Sequence, residues 1–414
     1  MMQPLDIPDH VNEVRAKVRA FVEEELHPLE QDSIRWELEA SQRTEPFQPE
    51  PGVSYTFDPV GDLPVDVYQG LLDRAAERGL WGFDVPEEYG GQDIGVLSKM
   101  VAVEEMAKTV VPFILPPESP NLHWLMAVAS DEQRKRYLEP YARGQIASGV
   151  AISEPDAGSD VSGMATVALR EGDGWVINGT KKWIGKADWG DFLILVAVTD
   201  PEKRSRGGMT AFLIDRGTPG VEVVRRLPTI SNYRPCEVEF RDVRVDDGQV
   251  LGEVGQAFVP LQNRFGVRRL EIASRSVGAV ERLLDMMIAY SKQRETFGQP
   301  LADRQMIQQW IADGIMGLHA CRLVNYDAAR KLDAGVQDIR QEAATAKIMG
   351  TELLTKVADW CLQAHGGLGL SKDLPIESYY RLVRIWRIVE GPSEVHRVSI
   401  ARRALRDGRV STEL

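Results

Sequence analysis

Apolar residues recur at helical spacing through the first third of the chain. Leu71, Leu72, Ala75 and Ala76 share one helix face ahead of a stop at Gly79, and Val101, Val103, Met106 and Ala107 repeat the pattern. Gly90-Gly91 between them marks a loop. Residues 41–64 hold five prolines and few periodic apolar positions, which predicts a long solvated connector. Near residue 147 the period changes. Trp175-Val176-Ile177 runs into Asn178-Gly179, a hairpin-turn signal, and Phe192 to Val198 is a continuous apolar run suited to a buried strand. Val238, Phe240, Val243 and Val245 alternate, with a break near Asp242. After Gly255 three helical stripes follow: Val277, Val280, Leu284, Met287 and Ile288; then Ile307, Trp310, Ile311, Ile315 and Leu318; then Met349, Leu353, Val357 and Trp360. Each stripe must bury its face, so three or four long helices form a bundle. The expected order is helices over 1–146, a compact β domain over 147–254, and a helical bundle over 255–414.

Composition narrows the partners. The formal charge of −13 opposes non-specific binding to nucleic acid or an anionic membrane. Cys236, Cys321 and Cys361 are widely spaced and form neither a disulfide framework nor a C-x-x-C metal pair, so a reducing, cytoplasmic compartment is expected. No run of about 18 apolar residues predicts a membrane span. The acidic opening, with Asp9 and Glu13, does not read as a secretory signal.

Five segments carry candidate chemistry. Ile152-Ser153-Glu154-Pro155-Asp156-Ala157-Gly158-Ser159-Asp160 is a loop of small residues with backbone N–H groups and hydroxyls able to meet a ring edge or a phosphate. Lys182-Trp183-Ile184-Gly185 offers an indole for stacking. Arg294-Glu295-Thr296-Phe297-Gly298 pairs a guanidinium for pyrophosphate with a ring for adenine; as a plain element it is a helix C-cap. Gln363-Ala364-His365-Gly366-Gly367-Leu368-Gly369 follows a helix, so it is not the dinucleotide fingerprint. Val389-Glu390-Gly391-Pro392-Ser393-Glu394 places a carboxylate just ahead of a helix start. Each segment alone also admits a plain structural reading: a turn, a core tryptophan, a helix stop, or an acidic residue favoured by a helix dipole.

In this order and spacing the five segments resemble the acyl-CoA dehydrogenase family over nearly the whole chain. The stretches ISEPDAGSD, WIG, RETFG, QAHGGLG and VEGPSEVH are similar to its flavin loop, its WIT or WIS element, its R-x-x-F-G element, its Q-x-x-G-G-x-G element and its catalytic E-G-T segment. Together with RLEIASRSVG at 269–278, GPSEVH most resembles the subgroup that in animals is fused to a kinase-like domain.

The resemblance implies an α+β, mostly α fold, with an N-terminal helical domain, a β-barrel-like or β-sandwich middle domain and a C-terminal four-helix bundle. It implies FAD as cofactor and an acyl-CoA substrate. Glu390 would take the α proton while the β hydrogen passes as hydride to flavin N5, giving a 2-enoyl thioester. The residues implied for FAD are Ala151, Ile152 and Ser153; Trp183, Ile184 and Gly185; Arg294, Phe297 and Gln305; Gln363, Gly366 and Gly367; and Pro392 and Glu394. Those implied for substrate are Ser159, Arg269 and Gly391. It also implies an electron-transfer flavoprotein as acceptor and a homodimer or homotetramer in which a neighbouring subunit holds part of the ADP half.

Gly185 replaces the family's usual Thr or Ser, Pro392 its usual Thr, and Glu394 a common Gln. Gly266, Val267, Arg268 and Arg269 occupy the helix segment that carries the base in some members, and Glu271 falls out of register there. Two other readings of the same residues are an oxidase of this fold that uses oxygen and a non-catalytic flavin or acyl-CoA scaffold.

Overall fold

The structure, a computed structural model, describes residues 7–408 except 41, 42, 62, 119 and 337. The N-terminal part is helical: α1 (Asp9–Phe21), α2 (Glu30–Ala40), α3 (Val65–Glu77), α4 (Gly95–Met106), α5 (Pro120–Val128) and the short α6 (Asp131–Gln133) and α7 (Glu139–Ala142). Leu71 and Ala75 of the predicted face are buried, whereas Ala76 is exposed.

The β region begins at β1 (Ser148–Ala151) and continues through β2 (Val167–Glu171), β3 (Gly174–Ile184), β4 (Phe192–Val198), β5 (Met209–Asp215), β6 (Val221–Arg226), β7 (Cys236–Asp246) and β8 (Val250–Leu251). The order is β6-β7-β3-β2-β4-β5-β8, with β1 parallel to β4. The unbroken apolar run of β4 has a two-sided cause. Ile194 and Val196 enter the core shared with α5 and α7, while Leu193 and Leu195 enter the core shared with β3 and β7. Alternate side chains point to opposite faces, so a strand buried on both faces loses its polar positions.

Asn178-Gly179 is not a turn. Both residues lie inside β3, and the register against β7 slips between Ile177 and Gly179. A Cβ at Gly179 would lie 2.3 Å from Thr166 Oγ1, so a bulge and a close approach account for this glycine. Asn178 accepts from the Asp242 backbone N–H at 2.8 Å, which matches the break near Asp242, itself at φ 49°. The β2–β3 turn falls at Gly172-Asp173, between the paired Glu171 and Gly174.

The helical remainder consists of α8 (Phe258–Gln293), α9 (Gln305–Asp333), α10 (Arg340–His365), α11 (Gly367–Leu370), α12 (Ile376–Trp386) and α13 (Ser393–Asp407). The strands β9 (Glu295–Thr296) and β10 (Gln299–Pro300) lie between α8 and α9. Val277, Leu284 and Met287 of α8 pack against Leu354 and Val357 of α10, and against Ile376 and Tyr379 of α12. Ile315 is 51 % exposed, unlike the rest of its stripe. The α8–α4 approach is set by Gly278, where a Cβ would meet the Glu104 carbonyl at 1.9 Å. Arg294-Glu295-Thr296-Phe297-Gly298 does not cap α8 in the expected way. The helix stops at Gln293, and Phe297 (φ 49°) and Gly298 (φ 73°) form the tip of the β9–β10 hairpin.

The 41–64 stretch is not a solvated connector. Its described residues are strapped to the β region. The Arg226 N–H donates to Thr44 O, the Phe47 N–H to Asp188 at 2.8 Å, and Ser54 to Asp191 at 2.6 Å. Arg226, almost fully buried, binds both Asp58 oxygens at 2.9 and 3.0 Å and Asp188 at 2.5 Å. Proline enrichment signals irregular backbone; it carries no information about the ion pairs that tie such backbone down.

Candidate active site

Glu390 lies in the turn between α12 and α13 at φ 56°, a left-handed conformation that costs a non-glycine residue of order 1–3 kcal/mol. Three side chains grip the carbonyls of that turn. Lys347 of α10 donates to Val389 O and Gly391 O, Arg269 Nε of α8 donates to Glu390 O at 3.1 Å, and His396 Nε2 of α13 approaches the same oxygen at 3.2 Å. Gly391, at φ 94°, has no room for a side chain because a Cβ would lie 2.8 Å from the His396 ring. Burial pulls Lys347 down to about 7, and burial with the nearby cations Arg269 and Lys347 pulls His396 down to about 3. Burial also lowers Arg269, to about 10. Arg264 Nη1 meets the two carboxylate oxygens of Glu390 at 3.2 and 3.1 Å, and its Nε donates to Asn121 at 3.0 Å.

A cavity of about 410 Å³ opens beside Glu390. Tyr68, Phe113, Tyr233 and Trp386 supply aromatic wall, and Arg268, Glu271 and Arg275 of α8 supply charge. The strap borders the cavity through Asp58, Gly61 and Leu63, and the 116–118 turn borders it through Pro116, Pro117 and Glu118. Ser119, next in the chain, lies outside the described residues. Glu271 lines the same space, but its carboxylate is engaged by Lys99 at 2.8 Å and Arg268 at 2.7 Å, which hold it below the usual carboxylate range. Glu118 is held low in the same way, by Lys186 and by Arg268 at 3.5 Å.

The residues expected at the site fall into three groups. Glu390, Gly391 and Pro392 form the turn, with Arg269 beneath it rather than lining the cavity. Glu394 is exposed on the first turn of α13.

The second group joins the 151–153 loop to Trp183, Ile184 and Gly185. The Lys182 N–H donates to Ser153 O at 2.8 Å. Buried Lys181 donates to Ile152 O at 2.9 Å and to Glu154 at 2.8 Å. Ala151 and Ile184 are buried. Trp183 sits at φ 69°, 49 % exposed, with its carbonyl accepting from Tyr233 OH at 3.1 Å, so this group meets the cavity wall. The nearest atom to a Cβ at Gly185 would be Tyr233 Cε2 at 3.9 Å, so the site has room for a ligand or a hydroxyl. Ser159 is exposed on the loop rim, outside the cavity.

The third group stands at the far end of α8 and α10. Tyr290 stacks on His365 at 4.2 Å, which brings Arg294, Phe297 and Gln305 to the end of the bundle where Gln363, Gly366 and Gly367 lie. Phe297 is 99 % exposed, and Gly366 and Gly367 face open space. At 1.5 Å per residue, Arg294 lies roughly 38 Å from Arg269 along α8.

An exposed indole beside an open glycine, loop backbone next to it, and an exposed ring with two uncovered glycines elsewhere fit the two ends of a flavin dinucleotide. Arg264, Lys347, His396, Tyr233 and Arg275 were not found from the sequence. Only the polar interruption at Lys347 in the α10 pattern, and Arg268 and Arg275 at helical spacing, hinted at them.

Family descriptions match three stretches: "Acyl-CoA dehydrogenase, N-terminal domain" over 60–145, "middle domain" over 149–243 and "C-terminal domain" over 258–405. A protein of Thauera aromatica, (R)-benzylsuccinyl-CoA dehydrogenase, is 46 % identical over 397 residues, 94 % of each chain. The caffeyl-CoA reductase-Etf complex subunit CarC of Acetobacterium woodii is 32 % identical over 80 % of this chain and 89 % of that protein. The solved butyryl-CoA dehydrogenase of Megasphaera elsdenii superposes with a TM-score of 0.83 at 27 % identity, covering 98 % of this chain and 100 % of that one.

Proposed function

This chain belongs to the acyl-CoA dehydrogenase family of FAD-dependent oxidoreductases acting on CH–CH bonds, and from that premise we propose that it converts an acyl-CoA to the 2-enoyl thioester with Glu390 as the base. The observation that carries this reading is a carboxylate on a strained turn, clamped from behind and bordering a cavity of acyl-group size. The strain persists because Lys347 and Arg269 over-determine the turn.

Glu390 takes the α proton. Its backbone N–H is the donor for the thioester carbonyl, and one well-placed donor of this kind is worth about 3–4 kcal/mol of transition-state stabilisation. The aromatic walls exclude water and align the Cα–Cβ bond. FAD, when bound, supplies the two-electron acceptor for the hydrogen leaving the β carbon.

Ala151, Ile152 and Ser153 with Trp183, Ile184 and Gly185 hold the ring end of the cofactor beside Pro392. Arg294, Phe297, Gln305, Gln363, Gly366 and Gly367 stand too far from Glu390 within one chain to serve the same molecule. They therefore hold the ADP half bound to a second subunit, which makes the enzyme a homodimer or homotetramer. An electron-transfer flavoprotein is the acceptor, a reading supported by the Etf-associated relative. Three buried free cysteines fit a cytoplasmic setting, and among the described residues no helix is long and apolar enough to cross a membrane.

The test is anaerobic flavin bleaching of the holoenzyme against a panel of acyl-CoAs. The wild type bleaches with at least one of them. Glu390→Gln keeps its FAD and loses bleaching by about 10²- to 10⁴-fold. Wild-type bleaching rates in that variant would remove Glu390 from the mechanism.

A further inference from the structure

Arg268, Glu271, Ile272 and Arg275 recur every three or four residues on α8, share one face, and all line the cavity beside Glu390. The carboxylates of that cavity have cationic partners: Glu118 has Lys186 and Arg268, Glu271 has Lys99 and Arg268, Asp84 has Lys99 and His123, Asp58 has Arg226, and Glu390 has Arg264. Arg268 is engaged by two of them. Arg275 is different. Among the described residues none forms a hydrogen bond or ion pair with its guanidinium, and its Nε is sealed from solvent without a partner. Glu271 and Glu118 act on it only at longer range.

A guanidinium does not shed its proton, and an uncompensated buried charge is strongly destabilising. Folding therefore leaves a cation at the cavity wall without a hydrogen-bonding partner, which an incoming anion can match. Because Arg275 and Glu390 border one cavity, that anion belongs to the molecule whose carbons Glu390 faces. A planar carboxylate meets the guanidinium through two parallel hydrogen bonds. A neutral acyl chain would cover Arg275 and leave it unpaired.

Building on the proposed dehydrogenation, we propose that the substrate is the mono-CoA thioester of a dicarboxylic acid, and that Arg275 is the specificity residue that pairs with its free carboxylate.

The experiment compares succinyl-, glutaryl- and adipyl-CoA with their ω-methyl esters on the holoenzyme. Anaerobic stopped-flow bleaching supplies both the apparent Kd and the limiting rate. Losing one charged partner of a hydrogen-bonded pair corresponds to about 10- to 100-fold in affinity. The wild type favours at least one free acid over its ester by that factor. Arg275→Gln loses the preference while handling the ester within about threefold of wild type, and Arg275→Lys recovers part of it. A wild type indifferent to the charge, or an Arg275→Gln variant that keeps the preference, overturns the assignment while leaving the dehydrogenation intact. Failure of every thioester, acid and ester alike, to bleach the flavin would instead defeat the dehydrogenation itself and this inference with it.

Discussion

Arg264 Nη1 sits 3.2 and 3.1 Å from the two carboxylate oxygens of Glu390, while its own Nε is held 3.0 Å from Asn121 Oδ1. The proposed base is thus located by a chain of contacts running back to α5. A misplacement of about 1 Å costs of order 10²-fold in rate. Arg264→Met should lower the limiting rate of flavin bleaching about 10- to 100-fold, with FAD content unchanged and the melting temperature within a few degrees of wild type. An unchanged rate would mean that the pairing has no positioning role.

Lys347 gives a pH signature. Its folded value of about 7 lies below the ordinary lysine value. Between about pH 7 and 10 the unfolded chain therefore binds more protons than the folded one, and stability rises with pH across that window. Lys347→Met removes both this titration and the two bonds to Val389 O and Gly391 O. Its melting temperature should fall below that of the wild type at every pH, by a gap that widens by a few degrees from pH 7 to pH 10. Differential scanning calorimetry of both holoproteins measures the gap. A gap that is constant or narrows with pH contradicts the assignment.

The strap is held by the pair Arg226–Asp58. Asp58→Ala leaves Arg226 with Asp188, so the loss should be modest, about 1–3 kcal/mol for hydrogen bonds to a charged group. Local opening should exceed global unfolding, because the strap is irregular backbone held to the β region by a few ion pairs and hydrogen bonds, with Phe57 and Leu63 as its buried apolar anchors. Trypsin should then cut at Arg43 at least about tenfold faster, and the KM for acyl-CoA should rise, since Asp58, Gly61 and Leu63 border the cavity. Equal cleavage rates in the two proteins would show that other contacts hold the segment.

The periodic positions alone determined the architecture: helices, then strands, then a bundle. Alternation with period two and stripes at period 3.6 report which side of an element meets the core, and burying that side dominates folding. Glu390-Gly391 was picked out through the resemblance of VEGPSEVH to a family segment, and the left-handed turn at Glu390 and Gly391 is a feature of the fold. Local signals failed where two segments distant in sequence decide the outcome. Asn178-Gly179 has the chemistry of a turn, yet pairing with β7 on one side and β2 on the other holds it in a bulged strand. The 41–64 stretch has the composition of a connector, yet Asp188 and Arg226 tie it down.

The site divides in the same way. The carboxylate, the loop and the tryptophan were named from the order and spacing of five segments and the resemblance they carry, since each segment alone admits a plain structural reading. Arg264, Lys347 and His396, which aim and clamp that carboxylate, come from three different helices. Whether Arg275 has a partner is likewise a property of everything packed around it. Charge is a letter in the sequence, but pairing is a distance, and only the folded chain brings residues hundreds of positions apart to within three ångströms or keeps them from it.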